Sequence, residues 1–238
     1  MAVATTRRKT ASPVGATNSD SQQGWRDRVV NRTLDRATKR SLERGQAFID
    51  AATELLDETG KDGFTVQEVA DRAGQSLRTL YQHFESKDDL LLAVFEEQLI
   101  VHTETVRKGI DKYTDPLDRL AALIVTSATP SMVRGKGTAL GHYRMRLVAT
   151  HPEELAHVQA PYLSLCIEVV SDAVAAGAIP ECNPEKTAYI ITTLKSSYLH
   201  SHFLGNELGI EMPTPTELAR FCLEGVGAKL PKSFNQKN

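Results

Sequence analysis

The chain is short of the features that mark several large protein classes. Its three cysteines, Cys166, Cys182 and Cys222, are widely spaced, odd in number and without metal-ligand spacing. That excludes a disulfide framework or a zinc module and fits free thiols in a reducing compartment. No apolar run approaches the roughly 20 residues that a bilayer crossing needs. The stretch Met1 to Gly24 is basic and rich in Ser and Thr but holds no apolar segment, so it does not read as a secretory signal. A cytoplasmic location is therefore expected. Enzyme signatures are missing too: there is no phosphate-binding glycine loop, no nucleophile elbow and no H-E-x-x-H. The seven histidines, His83, His102, His142, His151, His157, His200 and His202, offer only one H-x-H pair, His200/His202. Two residues apart on a helix, those rings point to different faces, so neither a metal nor another cofactor is expected.

What is present is helix. Hydrophobic residues make up 41% and charged residues 24% of the 238 positions, enough for a real core in an ordinary globular chain. Apolar–polar alternation is absent, and the fold class read from the pattern is all-α. The segment from Trp25 to Arg44 has no Pro or Gly and reads as a helix whose apolar stripe, Trp25, Val29 and Leu34, is too narrow to fold alone. A stronger helix follows from Leu42 to Glu58, where Phe48, Ala51, Ala52, Leu55 and Leu56 recur at i, i+3, i+4, i+7 and i+8. Further helices are expected near 115–128, 137–149, 152–177, 184–205 and 214–228, separated by Pro and Gly. The organisation that results is a basic, partly disordered N-terminal extension (1–40), a small three-helix domain (41–88), a larger helical domain (89–230) and a tail (231–238).

Charge is unevenly spread. Over residues 1–45 ten Lys and Arg face four acids, although the whole chain has a formal net charge of −2. A basic segment on an acidic body points to a nucleic-acid partner at one end. Next comes TVQEVADRAGQSLRTLYQHFESKDDLLLAVF, residues 65–95. Thr65 and Glu68 form a capping box, Gly74 breaks the first short helix, Ser76 starts the second, and Ser86 caps a long one. This is a helix-turn-helix pattern at about residues 64–84. Leu80 and Phe84, four apart, face inward, which turns Arg78, Thr79, Gln82 and His83 outward. No acid lies among them, as a polyanionic partner requires.

Thr65, Val69, Ala70, Ala73, Gly74, Ser76, Thr79, Leu80, Tyr81, His83, Phe84, Ser86, Lys87 and Leu90 fit a specific signature. With them, residues 45–95 resemble the DNA-binding domain of the TetR family of bacterial transcriptional regulators. The resemblance implies a DNA-binding role for Thr65, Gln67, Ser76, Leu77, Arg78, Thr79, Tyr81, Gln82, His83 and Lys87. Leu77, Arg78 and Thr79 would meet base edges, while Tyr81, His83 and Lys87 would grip the backbone. Gln75 and Arg78 depart from the usual small residues, and Leu77 is contested between groove and core. Lys39, Arg40 and Arg44 of the extension are further candidate phosphate contacts.

For the larger domain the same resemblance implies effector binding and dimerisation. Double-stranded operator DNA, a second copy of the chain and a small hydrophobic effector are the implied partners; no membrane partner is implied. Leu194, Leu199, Phe203, Leu218, Phe221, Cys222 and Val226 on the last two helices make apolar stripes suited to a homodimer interface. Candidate effector contacts are Leu99, Met132, His142, Tyr143, Arg146, Tyr162, Cys166, Tyr198 and His202, with Arg144, Met145, Lys195 and His200 nearby in sequence. A ligand-released repressor reading a pseudo-palindrome is the leading expectation. An architectural or constitutive DNA-binding protein without an effector is the alternative.

Overall fold

The computed structural model describes the backbone of residues 19–129, 136–205 and 209–229, and the side chains of all these except 19–33, 136–139, 203 and 204. Every regular element among the described residues is an α-helix: α1 (Ser19–Thr59), α2 (Val66–Arg72), α3 (Leu77–His83), α4 (Lys87–Ile110), α5 (Pro116–Ala128), α6 (Lys136–Thr150), α7 (Pro152–Ala175), α8 (Pro184–Leu204) and α9 (Pro215–Gly225). The later helix starts fall within a residue of those expected, and the reason is local. Pro116, Pro152, Pro184 and Pro215 occupy the first turn of their helices, where a missing N–H costs nothing and φ is already set. Asp115, Asn183 and Thr214 cap the exposed N–H groups of α5, α8 and α9. One expectation differs. The two helices read over Trp25–Arg44 and Leu42–Glu58 are a single helix, because the lone glycine between them, Gly45, lowers helix stability by only about 1 kcal/mol.

The chain divides into two units, Met1–Arg44 and Gly45–Asn238, four residues beyond the boundary expected at 40. In the first unit the described side chains, 34–44, are all exposed, and Lys39 approaches Glu43 to 3.9 Å. The disorder expected at the extreme N-terminus and the tail at 231–238 lie outside the described residues.

The second unit holds two hydrophobic clusters. The first joins Phe48 and Leu56 of α1, Val69 of α2, Leu80 of α3 and Leu90, Leu91 and Val94 of α4 to Leu140, Tyr143 and Leu147 of α6 and Leu155 and Val158 of α7. The second joins Val106 and Ile110 of α4 to Leu120 and Ile124 of α5, Leu165 and Val169 of α7, Ile191 of α8 and Leu223 of α9. The cores therefore do not separate at residue 88. Helix α4 enters both, and α6 packs with the helix-turn-helix. A three-helix unit of about 50 residues buries too small a fraction of its surface to be robust alone, and α6 supplies the missing apolar cover.

By length and composition α7 is long and apolar enough to cross a membrane, with a mean hydropathy of 1.2 over its best window, contrary to the expectation of no such run. Here one of its faces, from Leu155 to Ala173, is buried in the two clusters. That is the use a core helix makes of the same composition.

Candidate functional site

The helix-turn-helix is fixed by its caps and its turn. Thr65 accepts from the N–H of Glu68 while its own N–H donates to Glu68 Oε2 at 2.6 Å. Those bonds from Thr65 hold the Glu68 carboxyl below its ordinary range. At the end of α2, Gln75 N–H donates to the Ala70 carbonyl at 3.0 Å and Gly74 adopts φ +64. This closing turn needs a left-handed residue, and glycine takes that conformation without steric cost. Ser76 then caps α3, and Leu80, fully buried, clamps it to the core. Arg78, Tyr81 and Gln82 stand on the exposed face, with Tyr81 52% exposed. Gln67, at the start of α2, is exposed and donates to Asp71 at 2.7 Å.

Other predicted contacts are placed more deeply. Leu77 is half-buried and packs against the first cluster, so the core claims part of a side chain expected at the groove. The His83 ring sits 6.0 Å from that of Phe48 and is half-buried. Lys87 is turned inward: its Nζ donates to the carbonyls of Asp62 and Phe64 and lies 4.5 Å from the Phe64 ring. A loop that turns carbonyls toward the interior needs a donor, so this ammonium group holds the approach to α2. Ser76 and Thr79 share a 2.8 Å contact between hydroxyls. In the first unit Lys39, Arg40 and Arg44 are exposed.

Two residues expected in an effector pocket instead tie α6 to the start of α4 and the loop before α2. Tyr143 donates from its hydroxyl to the Asp88 carbonyl at 2.9 Å, and Arg146 reaches Asp88 at 2.9 Å and Asp62 at 3.6 Å. The Tyr143 hydroxyl is pushed up to about 12 by burial, with Asp88 adding to the shift. Tyr143 also packs edge-on against Phe95 of α4 at 6.3 Å. His142 is exposed on the other side of the helix, and Met132 lies outside the described residues.

Tyr162 and Cys166 do come together, one turn apart on α7, around a group of polar residues from four helices. Lys195 of α8 is 7% exposed and places its Nζ 3.8 Å from the centre of the Tyr162 ring. His102 of α4 packs on the same ring at 5.4 Å, and Ser127 of α5 and Thr192 of α8 hydrogen-bond to Tyr162 and Cys166 respectively. Burial pushes Lys195 down to about 8. Burial, helped by the charge of Lys195, pushes His102 down to about 3. It raises the Tyr162 hydroxyl and the Cys166 thiol, so both stay neutral. A cation over an aromatic face gains about 0.5–2 kcal/mol, whereas burying an ammonium group costs several kcal/mol. The ring does not cover the cost.

Beside this group a groove of about 620 Å³ runs between α6, α7 and α8, lined by Arg144, Met145, Val148, Leu155, Leu163, Thr192 and Ser196 among others. Leu99 packs instead against the first cluster, and Tyr198 and His202 stack on each other at 6.3 Å. His102, Ser127 and Thr192 were missed as site residues. A signal existed for His102: it occupies a core position on α4, four residues before the buried Val106.

On the last two helices Leu218 and Cys222 belong to the protomer's own core, and Leu194, Leu199 and Val226 pack partly against it. Own-core burial leaves Leu218 and Cys222 little surface to offer a second chain. Phe221 is 67% exposed, and so, at 64% each, are Tyr189 and Ile190, which the sequence reading passed over. The Phe203 side chain lies outside those described. Among the described residues no cluster could hold a metal ion.

Fold and site together define an all-helical protein that presents a helix-turn-helix from one of two linked cores. Residues 48–94 match the family described as "Bacterial regulatory proteins, tetR family". The HTH-type transcriptional activator FasR of Mycolicibacterium smegmatis is 40% identical over 85 residues, which is 36% of this chain and 38% of that protein. The chain thus matches under two fifths of that relative's length. Across most of the chain the fold is that of the fatty acid degradation regulator FadR from Bacillus halodurans (TM-score 0.63, 18% identity, 78% of this chain and 97% of that one). It is also that of FadR from Bacillus subtilis in complex with stearoyl-CoA (TM-score 0.55, 19% identity, 76% and 96%). The family match is confined to residues 48–94, the helix-turn-helix and the helices that flank it.

Proposed function

We propose that this protein is a DNA-binding transcriptional regulator, acting as a homodimer on a pseudo-palindromic operator and released from it by a small, largely apolar effector. The observation that carries the reading is the exposed face of α3, where Arg78, Tyr81 and Gln82 project from a helix without an acid and Leu80 locks it to the core. Repressor rather than activator, and regulator rather than enzyme, are part of the proposal, as is action on DNA in the cytoplasm. Thr65, Gln67, Ser76, Thr79, His83 and the half-buried Leu77 belong to the same proposed surface, and Lys87 supports it from behind. The structure of B. subtilis FadR with stearoyl-CoA supports an acyl-type effector among the apolar choices.

The test is selection of random duplexes by the full-length protein. An inverted repeat should be enriched, and Arg78→Ala should relax the preference at one position per half-site, each contact being worth about 1–3 kcal/mol. Recovery of no preferred sequence would overturn the proposal. Lys39, Arg40 and Arg44 are proposed to add phosphate contacts. Deleting residues 1–40 should then make the salt dependence of operator binding shallower, and an unchanged slope would remove the extension from the interface.

A further inference from the structure

Among the described residues, two cations drawn into the body have no carboxylate beside them. Lys195 is buried among α4, α5, α7 and α8 with the Tyr162 ring beneath its ammonium group, and Arg144 is half-buried on α6. Among the described residues neither lies within ion-pair distance of an acid, although Arg107, Arg119 and Arg146 of the same body each do. The groups around Lys195 supply no negative charge. His102 on α4 is neutral, the Tyr162 hydroxyl and Cys166 thiol on α7 are pushed up by burial, and Arg144 on α6 is itself cationic. A buried cation with no anion beside it is costly to fold, and the cost falls when an anion enters.

One cation faces a groove directly, and the other lies on α8 between residues that wall the same groove. Arg144 lines the groove between α6, α7 and α8 and is close enough to Lys195 to act on its charge. Thr192 and Ser196, three residues before Lys195 and one after it on α8, line the groove from the other side. Met145, Val148 and Leu163 give it apolar walls. Apolar walls with a few convergent polar groups suit a small amphipathic molecule, and the sign of the polar groups sets the sign of its head.

We propose that this groove binds an amphipathic carboxylate, with the acid group drawn between Arg144 and Lys195 and the apolar part laid along Met145, Val148 and Leu163. The proposal rests on the effector reading given above and narrows it from an apolar molecule to an apolar acid.

The experiment titrates the full-length protein by calorimetry with dodecanoate, dodecanol and dodecanoyl coenzyme A, and measures operator affinity on the same samples. Dodecanoate is expected to bind at least about tenfold more tightly than dodecanol at pH 7, an advantage that Lys195→Met reduces to about threefold or less. Its affinity should also fall at pH 9, where Lys195 has lost its proton. Should Lys195→Met not fold, Arg144→Gln, on the groove wall, must weaken dodecanoate selectively instead. Equal binding of dodecanol and dodecanoate, or binding indifferent to both substitutions, overturns the site. Binding of dodecanoyl coenzyme A alone overturns the free acid in favour of a phosphate-bearing thioester. Lys195-dependent binding of dodecanoate with unchanged operator affinity keeps the site and overturns the effector reading. Release of operator by dodecanol alone keeps the effector reading and overturns the anion site.

Discussion

Lys195 carries a cost that pH can lift. Its folded pKa, about 8, lies below the 10.5 of an unburied lysine, so between these values the unfolded chain binds more protons and stability rises with pH. Below pH 8 both states are protonated and the penalty, roughly 3 kcal/mol, is fully felt. Lys195→Met should therefore raise stability by about 2–3 kcal/mol at pH 7 and by almost nothing near pH 11. Urea titrations of both proteins at the two pH values check this, and a constant difference would show that the gain comes from packing. His102 gives a second window. Its folded pKa of about 3 lies below 6.5, so the unfolded chain takes up a proton as pH falls through 6.5 and stability drops by up to about 1.4 kcal/mol per pH unit down to 3. His102→Gln should flatten that acid limb in thermal melts, leaving stability above pH 7 little altered.

At the scale of elements, the helices of this protein are written in its sequence because each has its own punctuation. Pro116, Pro152, Pro184 and Pro215 announce four starts, and Thr65 with Glu68 and Ser76 with Thr79 announce the two short helices. Leu80 and Phe84 show by spacing alone which face of α3 is buried. The ends of side chains are another matter. Lys87 stands where a phosphate contact is expected, but the two carbonyls it serves come from residues over twenty positions away, and no local pattern reveals such a pairing. The same holds for Tyr143 and Arg146, whose partners Asp62 and Asp88 lie far off in sequence. Arg144 and Met145 line the groove while their neighbours Tyr143 and Arg146 hold the start of α4, so α6 touches the groove on one side and the helix-turn-helix end on the other. Arg146→Ala removes two partly exposed ion pairs, which together contribute about 1 kcal/mol or less to stability. Its expected effect is on coupling: effector should still bind, but the factor by which it lowers operator affinity should shrink several-fold. Measuring that factor in both proteins decides it, and an unchanged factor would leave Arg146 out of the coupling.

At the scale of the whole molecule, the proposed function has one helix-turn-helix read half of a palindrome, so that operator affinity would depend on a second copy holding the other half. The exposed apolar side chains on the last two helices mark where that copy would dock. Tyr189, Ile190 and Phe221 are each more than 60% exposed, and a groove of about 340 Å³ beside Ile190 and Phe221 is walled by Leu194, Cys222 and Val226. Leu218 and Cys222, by contrast, already serve the protomer's core, so substituting them would test folding more than association. Ile190→Glu with Phe221→Glu leaves the core untouched and places two carboxylates on each copy where two apolar faces would meet. Like charges facing each other across a two-fold interface oppose association, and the lost apolar burial adds to that. The double variant should keep the wild-type helical signal, sediment as a monomer at micromolar concentration, and bind a full operator no more tightly than a half-site. A dimer that persists in sedimentation would place the two-fold contact elsewhere on the body.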